Sequence, residues 1–219
     1  MGGPLSTRDP RLPPDTGHRR SVTPGRGGVR HAPAPVTGPV RPASGGRQAR
    51  DTTSEDDAME ARINLFDNEV AAKFAKRFIG AGLVIEQSTL PKQTQELVKI
   101  RASQINGCGF CTDMHTKEAT AAGEAAVRLN LIAVWREATV FTEPERAALA
   151  LAEEGTRLAD THHGVSDETW AKVREHFDDE QVAALISLVA LINAANRINV
   201  IVRSPAGSYE PGMFAAMAK

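Results

Sequence analysis

The 219 residues are enough for one domain with extensions, or for one and a half, and their total charge of −1 hides an uneven distribution. Two cysteines three apart suit catalysis or metal binding better than a structural staple, and no apolar run reads as a signal-peptide core or a membrane span. A soluble, cytoplasmic protein with no membrane partner is expected.

Residues 1–50 hold nine of the thirteen prolines, nine of the eighteen glycines, and nine arginines against two aspartates. They carry +7 and leave −8 to residues 51–219. With almost no aromatic or bulky aliphatic side chains, this stretch cannot bury enough apolar surface to offset the entropy of ordering it. Residues 1–58 therefore read as a disordered leader. Scattered arginines also suit nucleic-acid binding or an organelle transit peptide. The simpler reading is an upstream extension or dispensable tail, with Met59 a natural start, and no nucleic-acid partner is assigned.

Residues 59–219 read as an all-α helical domain. From Leu65, apolar residues recur at helical spacing (Phe66, Val70, Phe74, Phe78) until Gly80 and Gly82 loosen the pattern. Ser88 to Pro91 mark a new helix entry, with the proline expected in the first turn. The next run, Leu97, Ile100, Arg101, Gln104 and Ile105, stops at Asn106-Gly107, where glycine tolerates left-handed dihedrals. Cys108 opens the following helix, which extends to Gly123. A less sharply bounded helical stretch lies between Gly123 and Thr142. Thr142-Glu-Pro-Glu145 reads as a capping box, Ser166 opens a short helix, and Asp178-Asp-Glu-Gln181 opens a long one through Ile198. That last helix is apolar almost all round, which predicts burial at the centre of the domain or in a homo-oligomer interface. No alternating strand pattern is present.

The chemistry concentrates between Glu96 and His115. Cys108 and Cys111 are three apart at a helix start, close enough to form a disulfide. Unsatisfied amides and the positive end of the helix dipole favour a thiolate there. His115 lies four residues after Cys111, on the same helix face, where an imidazole can take a thiol proton. If the two helices fold back about Gly107, Glu96 and His115 are offset by three residues, roughly 4.5 Å at 1.5 Å rise each. That offset is within a glutamate's reach and predicts a relay from Glu96 through His115 to Cys111. The cysteines and His115 also supply three zinc ligands, but no fourth sits at suitable spacing. The His162-His163 pair reads as a solvated loop. Position alone favours Cys108, nearest the helix start, as the more acidic thiol, whereas the His115 spacing favours Cys111.

The joint spacing E-x11-C-x2-C-x3-H, with Leu97-Val98-Lys99-Ile100-Arg101-Ala102-Ser103 and Ile105-Asn106-Gly107-Cys108-Gly109-Phe110-Cys111, resembles the core of the AhpD-like alkylhydroperoxidases of the carboxymuconolactone decarboxylase superfamily. The likeness extends more weakly over about residues 60–200. It implies an oligomeric all-helical fold and a thiol-dependent peroxidase. It also makes Cys111 similar to the cysteine that becomes a sulfenic acid. Cys108 then looks like the more exposed thiol that donates a proton, resolves the disulfide and exchanges with a partner, and Glu96 and His115 match the relay residues. One departure stands out: Gly109-Phe110 separates the cysteines where the best-known members have a polar pair with a histidine. Lactone decarboxylation is not implied, because the decarboxylase branch lacks the cysteine pair.

The expected function is reduction of hydrogen peroxide or alkyl hydroperoxides by a Cys108/Cys111 dithiol–disulfide cycle, with electrons from a reducing thiol protein or a small thiol. No metal, flavin or other cofactor is implied, and the chain has no glycine-rich phosphate loop to hold a flavin. The alternatives are a dithiol–disulfide reductase serving a separate peroxidase, and a non-enzymatic helical scaffold or sensor whose cysteines bind metal or pack.

Overall fold

A computed structural model describes residues 60–214. The leader assigned to residues 1–58 lies outside the described residues. Among the described residues all regular structure is helical: α1 (Glu69–Glu86), α2 (Lys92–Ile105), α3 (Gly109–Ala121), α4 (Ala126–Leu131), α5 (Glu143–Thr156), α6 (Asp167–His176) and α7 (Asp179–Val202), with short 3₁₀ turns between some of them.

The helix starts follow their capping residues. Glu145 accepts the Thr142 backbone N–H at 2.8 Å and its hydroxyl at 3.0 Å, closing the start of α5. Asp178 and Gln181 do the same reciprocally for α7. Ser166 caps α6 by accepting the Thr169 amide. Pro91 stands one position earlier than expected: it precedes the first helical residue, and its carbonyl accepts the Gln95 N–H. The buried Gln95 amide then donates to the carbonyls of Ile85 and Leu90, tying the end of α1 to the start of α2.

Gly80 and Gly82 do not interrupt α1. A Cβ on Gly82 would lie 3.6 Å from Leu191 of α7, so the small residue sits where the two helices pack.

Two apolar clusters frame the domain. One joins Ile85, Leu90 and Val98 to Leu151, Val173, Phe177, Leu185 and Leu188; the other joins Leu97 and Ile100 to Ile132, Trp135, Phe141 and Leu149. Full burial of a leucine such as Leu149 or Leu185 contributes about 2 kcal/mol relative to exposure. Glu153 of α5 clamps the layers together, accepting from Arg101 of α2 at 2.7 Å and from Arg136 at 2.7 Å.

α7 corrects the expectation that no segment is apolar enough to span a membrane. By length and composition it is, with a mean hydropathy of 1.8 in its best window. Its surroundings nevertheless make it the core helix of this domain: it packs against α1, α2, α3 and α5, and its Asn193 bonds to Thr156 of α5. Ile186, Val200 and Ile201 of α7, and Val70, Phe74 and Val84 of α1, remain exposed.

Candidate active site

The site is built on the turn between α2 and α3. Gly107 has φ 64°, Cys108 N–H reaches back to Ser103 O at 2.9 Å, and Gly107 N–H reaches Gln104 O at 3.3 Å. This pairing satisfies the last carbonyls of α2 and requires a left-handed residue, which glycine supplies without strain. It reverses the chain at once, leaving Cys108 as the N-cap of α3.

In that position the Cys108 sulfur does what a serine or aspartate oxygen usually does. It accepts the Cys111 backbone N–H, at 3.4 Å. The thiol is pulled down to about 7, first by a hydrogen bond from the Cys111 thiol, against the opposing effect of burial, and further by that backbone amide. Cys111 is the donor in the pair, and its own pKa is pushed up by giving that hydrogen bond and by burial. One proton shared between two sulfurs belongs to the pair, and the N-cap position with its backbone amide favours the anion on Cys108. Ala102 and Ile192 pack around the two sulfurs, with Phe110 and Ala195 at the edge.

The hairpin brings Glu96 of α2 against His115 of α3, with Glu96 Oε2 2.9 Å from His115 Nδ1. Lys99 also donates to Glu96, at 2.8 Å. Burial pushes the His115 pKa down, outweighing the pull of Glu96, so the ring is neutral. Burial acts to raise the Glu96 pKa, but the hydrogen bond from His115 and the nearby Lys99 ammonium hold it down to about 2. A neutral ring opposite an ionised carboxylate fixes the tautomer: Nδ1–H donates to Glu96, and Nε2 keeps a basic lone pair. Glu96 also lines a shallow groove of about 320 Å³ with Lys92, Gln93, Leu97 and Gly123.

The structure does not join His115 to either sulfur by a hydrogen bond among the described residues. Cys111 instead receives one from Asn199 of α7, at 3.5 Å. Both thiols are buried in this structure, Cys108 and Cys111 being 2% and 1% accessible. The segment after α7 lies along α3. Asp113 accepts the amides of Gly207 and Tyr209, Lys117 donates to the carbonyls of the same two residues, and the Tyr209 hydroxyl bonds to Glu118.

The carboxymuconolactone decarboxylase family profile matches residues 72–154. The uncharacterized protein YdfG of Bacillus subtilis is 37% identical over 150 residues, which is 68% of this chain and 99% of its own length. The chain belongs to the carboxymuconolactone decarboxylase family. It is similar in structure to Agrobacterium tumefaciens ATU0492, a protein of unknown function proposed as an antioxidant-defence AhpD. The TM-score is 0.64 at 35% identity, covering 68% of this chain and all of that one. The AhpD core of an uncharacterized peroxidase-related protein from Ralstonia eutropha shares the fold, with TM-score 0.55 at 19% identity over 65% of this chain and 74% of that one.

Within this AhpD-like member of the family, the Gly109-Phe110 pair between the cysteines seats the tail. A Cβ on Gly109 would lie 3.3 Å from Ala206, and Phe110 meets Tyr209 edge-on at 6.5 Å between ring centroids. No cluster of three or more His, Cys, Asp or Glu side chains is placed to hold a metal ion among the described residues. The sequence reading passed over Asn193, Asn196 and Asn199. Their signal was present: three amides at three-residue intervals form one polar stripe on a helix otherwise apolar almost all round.

Proposed function

We propose that the chain is a thiol-dependent peroxidase that reduces hydrogen peroxide or alkyl hydroperoxides by cycling Cys108 and Cys111 between dithiol and disulfide. The observation that carries the reading is the placement of both sulfurs at the start of α3, where Cys108 caps the helix and accepts the Cys111 backbone amide. Membership in a family with peroxidase-related relatives supports it.

The Cys111 sulfur attacks the terminal oxygen of ROOH while its proton passes along the thiol–thiol hydrogen bond to the Cys108 sulfur. An S–O bond forms, the O–O bond breaks, and the alkoxide leaves as ROH with the proton from Cys108. The Cys108 thiolate then attacks the Cys111 sulfur. An S–S bond forms, and the departing hydroxide becomes water with a proton drawn from solvent through His115 and the Glu96 groove. The peroxide gains two electrons and the cysteine pair loses two. A dithiol, protein or small molecule, returns them by exchange through Cys108. Purified protein with excess dithiol is expected to consume hydrogen peroxide or an alkyl hydroperoxide catalytically; no consumption above the dithiol alone would remove the proposal.

One observation favours a second reading. A thiol with a pKa near ambient pH is well matched to disulfide exchange, so Cys108 also suits a dithiol–disulfide reductase serving a separate peroxidase. In that case a disulfide substrate, and not peroxide, would be turned over in the same assay.

We also propose that the protein works as a homo-oligomer, with Val70, Phe74 and Val84 of α1 and Ile201 of α7 covered between copies. Light scattering is expected to return a multiple of the chain mass, and Phe74→Glu to shift it toward the monomer. A monomeric wild type at micromolar concentration would rule this out.

A further inference from the structure

The polar side chains on α7 include a directed chain that ends at Ser103, and one further amide, Asn199, that reaches Cys111. Asn193 Nδ2 donates to Val189 O and to Thr156 Oγ1, both at 2.9 Å, so its Oδ1 must face the other way. That oxygen accepts from Asn106 Nδ2 at 2.9 Å, and the same nitrogen donates to Asn196 Oδ1 at 2.9 Å. Asn196 is therefore turned with its nitrogen toward Ser103 Oγ, at 3.0 Å. Ser103 spends its own hydrogen on Lys99 O at 2.7 Å and can only accept. Two backbone carbonyls, one on α7 and one on α2, thus fix every amide between them. Asn199 is oriented by the same logic: Nδ2 donates to Ala195 O at 3.0 Å and directs its second hydrogen to Cys111 Sγ at 3.5 Å.

We infer that Asn199 is a catalytic hydrogen-bond donor that holds negative charge on the Cys111 sulfur, and that Asn196, Asn193 and Asn106 are positioning residues that keep donors facing the sulfur pair. The inference rests on the peroxidase reading for the reaction it assists. The need arises from burial: when charge moves from Cys108 to Cys111 during attack, it leaves the helix N-cap for a site walled by Ala102 and Ile192. A buried anion without donors is costly, and a fixed amide supplies one without reorganisation at the moment of reaction. The titratable groups on α3 near Cys111 are Cys108 and, one turn along, His115 with Glu96 of α2 behind it. α7 meets the sulfurs with Asn196 and Asn199, neutral amides, and its Arg197 is engaged with Asn193. Both amides act to lower the Cys111 pKa, against the larger opposing effects of Cys108 and burial.

The test uses full-length Cys108→Ser protein, in which Cys111 is the sole thiol, titrated by the ultraviolet absorbance of the thiolate. Asn199→Leu in that background is expected to raise the apparent Cys111 pKa by about one unit or more, the tenfold or larger loss of anion expected for removing a hydrogen bond to a charged group. Asn199→Asp keeps the side-chain shape but puts a carboxylate beside the sulfur, and should raise the pKa further. With the cysteine pair intact, both Asn199 variants should lower the rate constant for peroxide attack, read as a fall in kcat with little change in the thermal midpoint. Coincident thiolate titrations for Asn199, Asn199→Leu and Asn199→Asp would overturn the role of Asn199. A normal titration series in a protein that never consumes peroxide would instead remove the peroxidase reading and leave the donor assignment standing.

Discussion

Cys111→Ser is expected to abolish peroxide turnover, a loss on the order of a thousandfold or more, because the hydroxyl that replaces the thiol is not ionised near neutral pH and is a far weaker nucleophile. Cys108→Ser should lose steady-state turnover to a similar extent for a different reason. The first half-reaction can still occur once, but no second sulfur remains to displace hydroxide from the sulfenic acid. A sulfenic-acid trap such as dimedone should therefore label Cys111 in Cys108→Ser after one exposure to peroxide, and label nothing in Cys111→Ser. The fold should survive in the Cys108 variant, since serine is a good N-cap and can accept the same Cys111 amide. The experiment also decides a tension within the site. The helix N-cap and the Cys111 amide favour the resting anion on Cys108, whereas family resemblance gives the peroxide to Cys111. Labelling of Cys108 in Cys111→Ser would reverse the two roles, and full turnover by Cys108→Ser would end the dithiol mechanism.

What could be read beforehand was local. Asn106-Gly107 announces the end of α2 because its signal is a backbone conformation that one residue type satisfies. The starts of α5, α6 and α7 are legible for the same reason: a cap and the amides it serves lie within one turn of chain. The approach of Glu96 to His115 was also accessible, since a tight turn makes the register of a helical hairpin a matter of counting. What escaped depends on partners far along the chain. Gly80 and Gly82 resemble helix breakers until Leu191, more than a hundred residues later, packs against Gly82. The seating of Ala206 against Gly109 and of Tyr209 against Phe110 also escaped, and no spacing rule near Cys108 points to it. Asn199 lies 88 positions from Cys111. Its periodicity with Asn193 and Asn196 was visible, but nothing local says what such a stripe faces.

The Glu96–His115 pair is expected to make the protein acid-labile in two separable windows. His115 has its pKa lowered by burial from the ordinary 6.5, so below that pH the unfolded chain takes up a proton that the folded protein resists. Stability is lost as pH falls past about 6.5. Glu96 follows a different window: its folded carboxyl is held down to about 2 against an ordinary 4.5, so its contribution is complete above about 4.5 and drains away toward pH 2. At 1.36 kcal/mol per pKa unit that contribution is at most about 3 kcal/mol, and less once the partial exposure of the carboxylate is allowed for. Asp113, Glu124, Glu153 and Glu154 also have lowered pKa values and add to the acid loss, so the variants carry the comparison. Thermal midpoints measured from about pH 7.5 to about pH 3 should show His115→Gln losing less than wild type between neutrality and about pH 5. Glu96→Gln should start lower at neutral pH, having lost the bonds to His115 and Lys99, and converge on wild type as the acid limit is approached. Because glutamine cannot orient or exchange protons with the ring as a carboxylate does, Glu96→Gln should also shift the pH–rate profile of peroxide turnover. Three superimposable stability profiles would mean that the pair is not coupled to folding, and an unmoved pH–rate profile would take Glu96 out of the proton route.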